Sequence, residues 1–244
     1  MESEPTILGS IIRTMQKVKR QEGEIFMSAV EMWVLFGVVA ALIFVFSVLA
    51  HKKFTVREIA VIGVMAAASY IAYLLRIPNV FGTKSSFHLG NTFTALTALL
   101  LDGVTGGLAG AIGLSLADIT AGDPGYAVTT FLLKFLIGIT CGAVAHRVFH
   151  LEKRSPAAGR GRYLLAVSAS AFSGLLLNVF TDPVIGYFRD RYIFGMTPDI
   201  SVLFAKVASG VTLVNSIVSC VCAVALYLAL RPALEKAGLL RGRE

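Results

Sequence analysis

A series of long, almost uncharged apolar segments is the feature that most limits how this chain can fold. A helix needs about 20 mainly apolar residues to cross a bilayer, and several segments reach that length. Hydrophobic residues make up 56% of the sequence and charged residues only 15%, against roughly 45–50% and about 25% in soluble domains. No series of short alternating strands indicates a barrel. We therefore predict an all-α membrane protein.

The apolar segments divide the chain into four parts. Residues 1–29 form a basic, amphipathic N-terminal segment, and residues 30–50 an additional hydrophobic helix that we expect to span the membrane. Residues 54–232 contain six further hydrophobic segments, which predict a six-helix transmembrane core. The fifth of these is expected to end near Pro183, with a loop following it. Residues 233–244 form a basic tail.

Basic residues between the apolar segments predict the orientation of the chain. Lysine and arginine concentrate in cytoplasmic loops of membrane proteins, so we place the basic stretch from Arg147 to Arg162 in the cytoplasm. Counting spans from that stretch places residues 51–57 and the C-terminal tail in the cytoplasm as well. The loops at 79–87 and 120–127 then lie outside. The net charge of +7 is explained by these loops, and we expect no nucleic-acid binding.

Eight polar or ionisable side chains lie within or at the ends of the apolar segments, and most lie near the ends that we place outside. They are His88, Asn91, Asp118, Lys134, Asn178, Asp182, Lys206 and Asn215. Such groups are costly in a membrane and usually mark a substrate or ion site. We therefore predict an outward-facing polar pocket in which Lys134 and Lys206 pair with Asp118 and Asp182, or hold an anionic ligand group.

Each of these side chains also has a structural interpretation that the sequence leaves open. A lysine at this depth, about two helical turns from the surface, can extend its ammonium group to the interface. A histidine such as His88 can cap or pack a loop. The amides of Asn91 and Asn178 can bridge two helices.

The sequence contains no motif that would supply chemistry or energy. No HExxH, G-x-S-x-G or Walker motif is present, so we expect neither catalysis nor ATP hydrolysis by this chain. The cysteines indicate no metal or disulfide framework, and no cofactor is expected. A one-sided pocket without an energy source indicates a binding subunit. The alternatives are a stand-alone, ion-coupled secondary transporter and a non-catalytic membrane scaffold.

Five sequence runs resemble the substrate-binding S component of energy-coupling factor (ECF) vitamin transporters. They are FHLGN (87–91), LLLDGVTGGLAGAIGLSLADI (99–119), TTFLLKFLIG (129–138), LLLNVFTDPVIGYF (175–188) and LFAKVASGVTLVNS (203–216). The resemblance covers roughly Phe54 to Leu230, and its most specific part runs from His88 to Lys134. It implies a multi-pass protein of a prokaryotic plasma membrane that binds a water-soluble vitamin from the outside. Riboflavin, pantothenate, a thiamine precursor, pyridoxine and a queuosine precursor all stay open.

The resemblance also implies partners and further functional residues. An S component works with a transmembrane coupling subunit and two cytoplasmic ATPases. Its first loop acts as a lid, which here would include Gly82, Lys84, Ser86 and Phe87. Small residues of its first core helix contact the coupling subunit, and here these would be Gly63, Ala67, Ala68 and Ala72. The additional N-terminal helix departs from the family pattern.

Overall fold

The computed structural model describes residues 14–16, 37, 43–154, 156, 159–238 and 240. The chain divides after Phe46 into two units. Most of the basic N-terminal segment and of the additional helix lies outside the described residues. Within those two parts, the described residues 14–16, 37 and 43–50 are helical. The elements that follow belong to the second unit, which begins at Ser47.

From residue 56 onward, the main elements of the described chain are six α-helices and one short hairpin. The helices are α1 (Val56–Leu74), α2 (Gly90–Leu100), α3 (Gly103–Thr120), α4 (Ala127–Gly142), α5 (Arg160–Phe188) and α6 (Pro198–Lys236). In the hairpin, β1 (Ile77–Pro78) pairs antiparallel with β2 (Ser86–Phe87). By length and composition, α1, α3, α5, α6 and the stretch containing α4 could each cross a membrane. The predicted all-α membrane bundle is confirmed.

Helix α2 lies at the centre of the bundle, although it is too short to cross a membrane alone. Its 11 residues extend only about 17 Å. Nine of them are buried, and the helix contacts each of the other five. Asn91, in its first turn, is therefore held inside the bundle and does not face lipid.

Glycines in α3 and α4 allow direct contact between helix backbones. A Cβ atom at Gly106 would lie 2.4 Å from the backbone nitrogen of Ala98 in α2, and one at Gly138 would lie 2.1 Å from that of Gly107. Both distances are far inside van der Waals contact, so a larger residue would force the helices apart. Small residues commonly permit such close association in lipid. Here they fix the polar ends of α3 and α4 relative to each other.

Helix α5 does not end near Pro183, so the loop predicted after that residue is wrong. The helix continues to Phe188, and a π-helical segment follows at Arg189–Ile193. A proline inside a membrane helix is tolerated because neighbouring groups can satisfy the backbone atoms that it leaves unpaired. The extra turns carry Arg189 to the end of the bundle at which the hairpin lies.

Successive helices run in opposite directions, so their connections lie at two distinct ends of the bundle. The lid end contains the lid loop (residues 79–87), the turn between α3 and α4, and the connection between α5 and α6. The basic end contains residues 51–55, the link between α2 and α3, residues 146–154 and the last turns of α6. The domain boundaries at residues 54 and 232 remain predictions.

Candidate substrate-binding site

A cavity of about 110 Å³ lies at the lid end of the bundle. Seven of the eight predicted site residues line it, and they come from the lid side of α2 to α6. They are His88, Asn91, Asp118, Lys134, Asn178, Asp182 and Asn215. Lys206 is not among the lining residues, because its side chain is exposed on another face of α6. The structure thus brings together most of the polar side chains found in the apolar segments.

Two of the asparagines that line this cavity have unpartnered amide atoms. Asn178 is 1% exposed, and neither its Nδ2 nor its Oδ1 has a hydrogen-bond partner among the described residues. Asn91 is 2% exposed, and its Oδ1 also has no hydrogen-bond partner among the described residues. Leaving a buried polar group unsatisfied costs about 1–3 kcal/mol, and most such groups in native proteins have partners. The two amides are therefore suited to a ligand that supplies donors and acceptors.

The ammonium group of Lys134 is buried in the same cavity without a direct partner. The residue is 8% exposed, and no hydrogen bond or ion pair within 4 Å joins it to another residue in the described ranges. Asp118 and Asp182 attract it electrostatically, but each carboxylate accepts a hydrogen bond from a threonine. Thr130 Oγ1 donates to Asp118 at 2.5 Å, and Thr212 Oγ1 donates to Asp182 at 2.6 Å. The ammonium group is thus available to a ligand.

Besides the pairing of β2 with β1, side chains attach the lid loop and the residue after it to the bundle at two places. The Lys84 ammonium forms an ion pair of 2.7 Å with Asp123, in the turn after α3. Asn215 of α6 accepts a hydrogen bond from the backbone N–H of His88 at 3.1 Å and donates one to the carbonyl of Ser86 at 2.9 Å. Both ends of the Asn215 amide are therefore engaged by lid backbone, which makes it a residue that positions the lid.

The residues expected to form the lid differ in what they do. Lys84 and Ser86 line the cavity, whereas Gly82 and Phe87 do not. Gly82 has a φ of +68°, in the left-handed region that glycine adopts without steric cost. Asn79, which the sequence did not single out, holds this turn through hydrogen bonds within the lid loop.

His88 combines the two interpretations that the sequence left open. Its ring lines the cavity and packs against Tyr73, with 5.0 Å between the ring centroids. Its Nδ1 also accepts a hydrogen bond from the backbone N–H of Gly90 at 3.2 Å. The imidazole therefore caps the start of α2 and forms part of the cavity wall at once.

Arg189 is a cavity residue that sequence analysis missed. Its guanidinium lies 3.8 Å from the centroid of the Tyr126 ring, and both residues line the cavity. It also donates to Asp190 Oδ1 at 3.0 Å and to Thr129 Oγ1 at 3.3 Å. These contacts join the end of α5 to the start of α4.

A helical spacing in the sequence could have revealed Arg189. Asn178, Asp182, Gly186 and Arg189 all line the cavity, and they follow one another at intervals of four, four and three residues. That is the spacing of one helix face. The expectation that α5 ends near Pro183 hid this pattern.

The small residues expected to contact a coupling subunit lie on α1. Gly63 and Ala67 are exposed, and nothing lies within 4 Å of the position that a Cβ atom would take at Gly63. Ala68 and Ala72 are half-buried. The open part of this helix face is therefore centred on Gly63 and Ala67.

Comparison with known proteins agrees with this architecture. Residues 53–232 match the family described as "ECF-type riboflavin transporter, S component", and this range includes every residue that lines the lid-end cavity. Neither the curated proteins nor the solved structures gave a match. The chain therefore belongs to the ECF-type riboflavin transporter S component family, and it is a substrate-specific, multi-pass membrane subunit of an ECF transporter.

Proposed function

We propose that this subunit binds riboflavin, or a close flavin relative, in the lid-end cavity and delivers it to a coupling subunit and two ATPases. The observation that carries the proposal is the set of buried, unpartnered polar groups at Asn91, Lys134 and Asn178. The description of the matched family supplies the ligand. A non-catalytic scaffold would leave these groups without an explanation.

The chemistry of riboflavin suits the groups that line the cavity. Its flat ring system has one edge of alternating carbonyl oxygens and N–H groups, which the amides of Asn91 and Asn178 can match. Its ribityl chain carries hydroxyl groups that can donate to carboxylates such as Asp118 and Asp182. The rings of Tyr73 and Tyr126 offer aromatic surface in the same cavity.

The balance of charge in the cavity favours a neutral ligand. Its basic side chains are Lys84, Lys134 and Arg189, and its acidic ones are Asp118, Asp182 and Asp190. Arg189 contacts Asp190 directly, and Lys84 is paired with Asp123. A ligand that carries a carboxylate or phosphate would therefore meet three carboxylates without an excess of positive charge. Riboflavin is neutral near pH 7, whereas pantothenate is an anion.

The size of the cavity implies that the lid moves. A volume of about 110 Å³ is well below the roughly 300–1,000 Å³ of typical ligand pockets, so a vitamin-sized molecule requires a wider cavity. The lid loop is the part best able to move, because few polar side-chain contacts hold it. Among the described residues, these are the contacts made by the side chains of Lys84 and Asn215. We infer that the structure represents a closed form.

We infer that the lid end faces the outside and that the basic end, with the C-terminus, lies in the cytoplasm of a prokaryotic cell. The distribution of exposed basic side chains supports this orientation, since Lys53, Arg57, Arg147 and Lys153 all lie at the basic end. The inference can be tested with Lys84→Cys and Lys153→Cys in a chain whose native cysteines are replaced. A membrane-impermeant thiol reagent added to whole cells should label the first cysteine and not the second.

Delivery to a coupling subunit is supported by α1. Its exposed small residues, Gly63 and Ala67, would allow another helix to approach closely in lipid. We therefore propose that the partner contacts α1 around these residues. Substitution Gly63→Leu should reduce co-purification with the coupling subunit while leaving vitamin binding unchanged.

The proposed function is tested with the full chain purified alone. Riboflavin added to the chain should lose its fluorescence as it binds, whereas pantothenate, thiamine and pyridoxine should not displace it. Liposomes that contain only this chain should not accumulate riboflavin, and liposomes that also contain the coupling subunit and ATPases should do so with ATP. Accumulation driven by a proton or sodium gradient alone would identify a secondary transporter. Absence of binding would reject the riboflavin assignment.

A further inference from the structure

A second, larger cavity lies at the basic end of the bundle, and nothing in the proposed function uses it. It is a groove of about 850 Å³, within the range of roughly 300–1,000 Å³ that ligand sites occupy. Its walls come from the start of α1, the link between α2 and α3, residues 146–153 and the last turns of α6. Because all these are helix ends in a membrane bundle, the groove lies at the boundary between the hydrocarbon and the headgroup layer.

The acidic side chains of the basic-end groove already have basic partners. Lys52 lies 2.5 Å from Asp102 and 3.3 Å from Glu58. Glu235 accepts a hydrogen bond from Arg231 at 2.7 Å. The remaining acid, Glu152, faces His146 at 3.3 Å and His150 at 3.7 Å. These contacts leave no acidic side chain of the groove without a partner.

Three other basic side chains of the groove have no such neutralisation. Lys53, Arg57 and Lys153 are exposed, and no ion pair within 4 Å joins any of them to an acidic residue in the part of the chain that the structure describes. Arg57 makes one long contact, 3.4 Å, to the carbonyl of Gly238. These three charges lie at the rim, and with them the lysine and arginine side chains of the groove exceed its carboxylates by one, five against four.

The wall beside this rim is apolar. Its partly exposed leucines are Leu100, Leu101 and Leu240, and the buried Leu99 and Tyr227 lie behind them. Along α6 the groove extends from Tyr227 to Glu235, a rise of about 12 Å. An occupant must therefore combine an anionic group with an attached hydrocarbon part.

We propose that the basic-end groove binds the headgroup of an anionic phospholipid, with the phosphate at Lys53, Arg57 and Lys153 and the first acyl carbons against the leucines. Charge complementarity and the position at the headgroup boundary carry this proposal, and it does not depend on which vitamin the lid-end cavity binds. Lipid phosphates are bound by basic pockets between membrane helices in the same way.

The test compares two triple variants of the full chain in detergent. The groove variant is Lys53→Gln/Arg57→Gln/Lys153→Gln. The matched control is Arg147→Gln/Arg160→Gln/Lys236→Gln, which removes the same charge from exposed positions outside the groove. Short-chain phosphatidylglycerol is titrated against each protein, with short-chain phosphatidylcholine, inorganic phosphate and glycerol 3-phosphate as further ligands. Native mass spectrometry of the purified proteins reports any lipid that stays bound, and circular dichroism reports their folding.

We expect the unmodified chain to bind phosphatidylglycerol and not phosphatidylcholine. The groove variant should bind phosphatidylglycerol at least about tenfold more weakly, since it lacks three basic contacts to the phosphate. The control variant should bind it within about twofold of the unmodified chain. Equally weakened phosphatidylglycerol binding in the groove variant and the control variant would show a diffuse charge effect and overturn the proposal. Displacement of the lipid by inorganic phosphate at similar concentration would instead indicate a free-phosphate site. Unchanged lipid binding with lost coupling-subunit binding would indicate a protein interface.

Discussion

The two ends of this bundle bury polar groups in opposite ways. At the lid end, Asn178 and Lys134 are buried without a hydrogen-bond partner among the described residues. At the basic end, Arg231 is equally buried, at 6% exposure, but donates to Glu235 and to the hydroxyl groups of Tyr163 and Tyr227. A satisfied network stabilises the fold, whereas an unsatisfied one lowers stability. On the proposed function, the contrast separates groups that hold the structure from groups that bind the ligand.

The largest expected effect on stability is at Arg231. Substitution Arg231→Met would remove the donor shared by the Glu235 carboxylate and the hydroxyl groups of Tyr163 and Tyr227, and breaking a buried charged network typically costs about 3–5 kcal/mol. Chemical unfolding in detergent should show a loss near the lower end of that range, because Glu235 is partly exposed. Riboflavin affinity should stay within about twofold. Unchanged stability in this variant would show that the Arg231 network does not stabilise the fold, and the contrast between the two ends would fail.

The next largest effect is expected on ligand binding at Asn178. Substitution Asn178→Leu removes an amide that has no partner in the described fold. The free energy of unfolding should therefore not fall, and it should rise by at most about 3 kcal/mol. Riboflavin affinity should fall about 10-fold to 100-fold, because hydrogen bonds to the ligand are lost. Fluorescence titration measures the affinity.

Lys206 provides the matched control for the lid-end cavity. It has an exposed side chain on a helix that contributes to the cavity wall, but it does not line the cavity. Riboflavin affinity of Lys206→Gln should remain within about twofold of the unmodified protein. A loss comparable to that of Asn178→Leu would show that the site extends beyond the cavity described above.

A smaller effect on stability is expected at Asp102, the N-cap of α3. Its Oδ1 accepts from the backbone N–H groups of Val104 and Thr105 at 2.9 and 3.0 Å, and its Oδ2 pairs with Lys52. Asp102→Ala should cost about 1–2 kcal/mol through loss of the cap. Asp102→Asn keeps the cap acceptor and loses the charge, so it should cost less in unfolding measurements. Equal losses would show that the charge, not the cap, matters.

The same residue predicts a dependence of stability on pH. Burial raises the pKa of the Asp102 carboxyl, but the Lys52 ammonium and the donors of Thr105 lower it more, so the pKa lies below its ordinary value. The resulting stabilisation is complete above the unfolded-state pKa of about 3.9 and is lost as pH falls through the lower folded-state pKa. Unfolding experiments below about pH 4 should therefore show a decline that is smaller in Asp102→Asn.

The smallest effect is expected at the lid. The Lys84–Asp123 ion pair is partly exposed, and such pairs contribute at most about 1 kcal/mol. Lys84→Gln should therefore speed riboflavin dissociation by up to about fivefold, with little change in stability. Stopped-flow displacement measures this rate. Asp123→Asn should give a similar increase, and the double variant no more than either single one.

Much of the fold could be predicted from the sequence, because apolar length alone predicts membrane helices. The depth of a polar residue along its helix could also be predicted, which is why Asn178 and Lys134 were expected near one end. The direction in which a side chain points around the helix axis was harder to predict. The lining face of α6 includes Ala205, Ala208, Thr212 and Asn215, and Lys206 lies about 100° away from Ala205 on that helix.

Two roles that depend on tertiary contacts were not predicted. Arg189 enters the cavity because α5 continues past Pro183, and the surrounding bundle decides whether a proline ends a membrane helix. The role of Asn215 depends on the path of the lid loop, in which its partner Ser86 is 129 residues away in sequence. The contact of Asn215 with the lid has no local sequence signal, whereas the helical spacing from Asn178 to Arg189 is such a signal for Arg189.

Thermal unfolding with and without saturating riboflavin tests the central claim most directly when three proteins are compared. The unmodified chain and Arg231→Met should both gain thermal stability on adding riboflavin, although Arg231→Met starts from a lower midpoint. Asn178→Leu should start at or above the unmodified midpoint and gain far less. A full riboflavin-induced gain in Asn178→Leu, or no gain in the unmodified chain, would contradict the assignment of the lid-end cavity as the vitamin site.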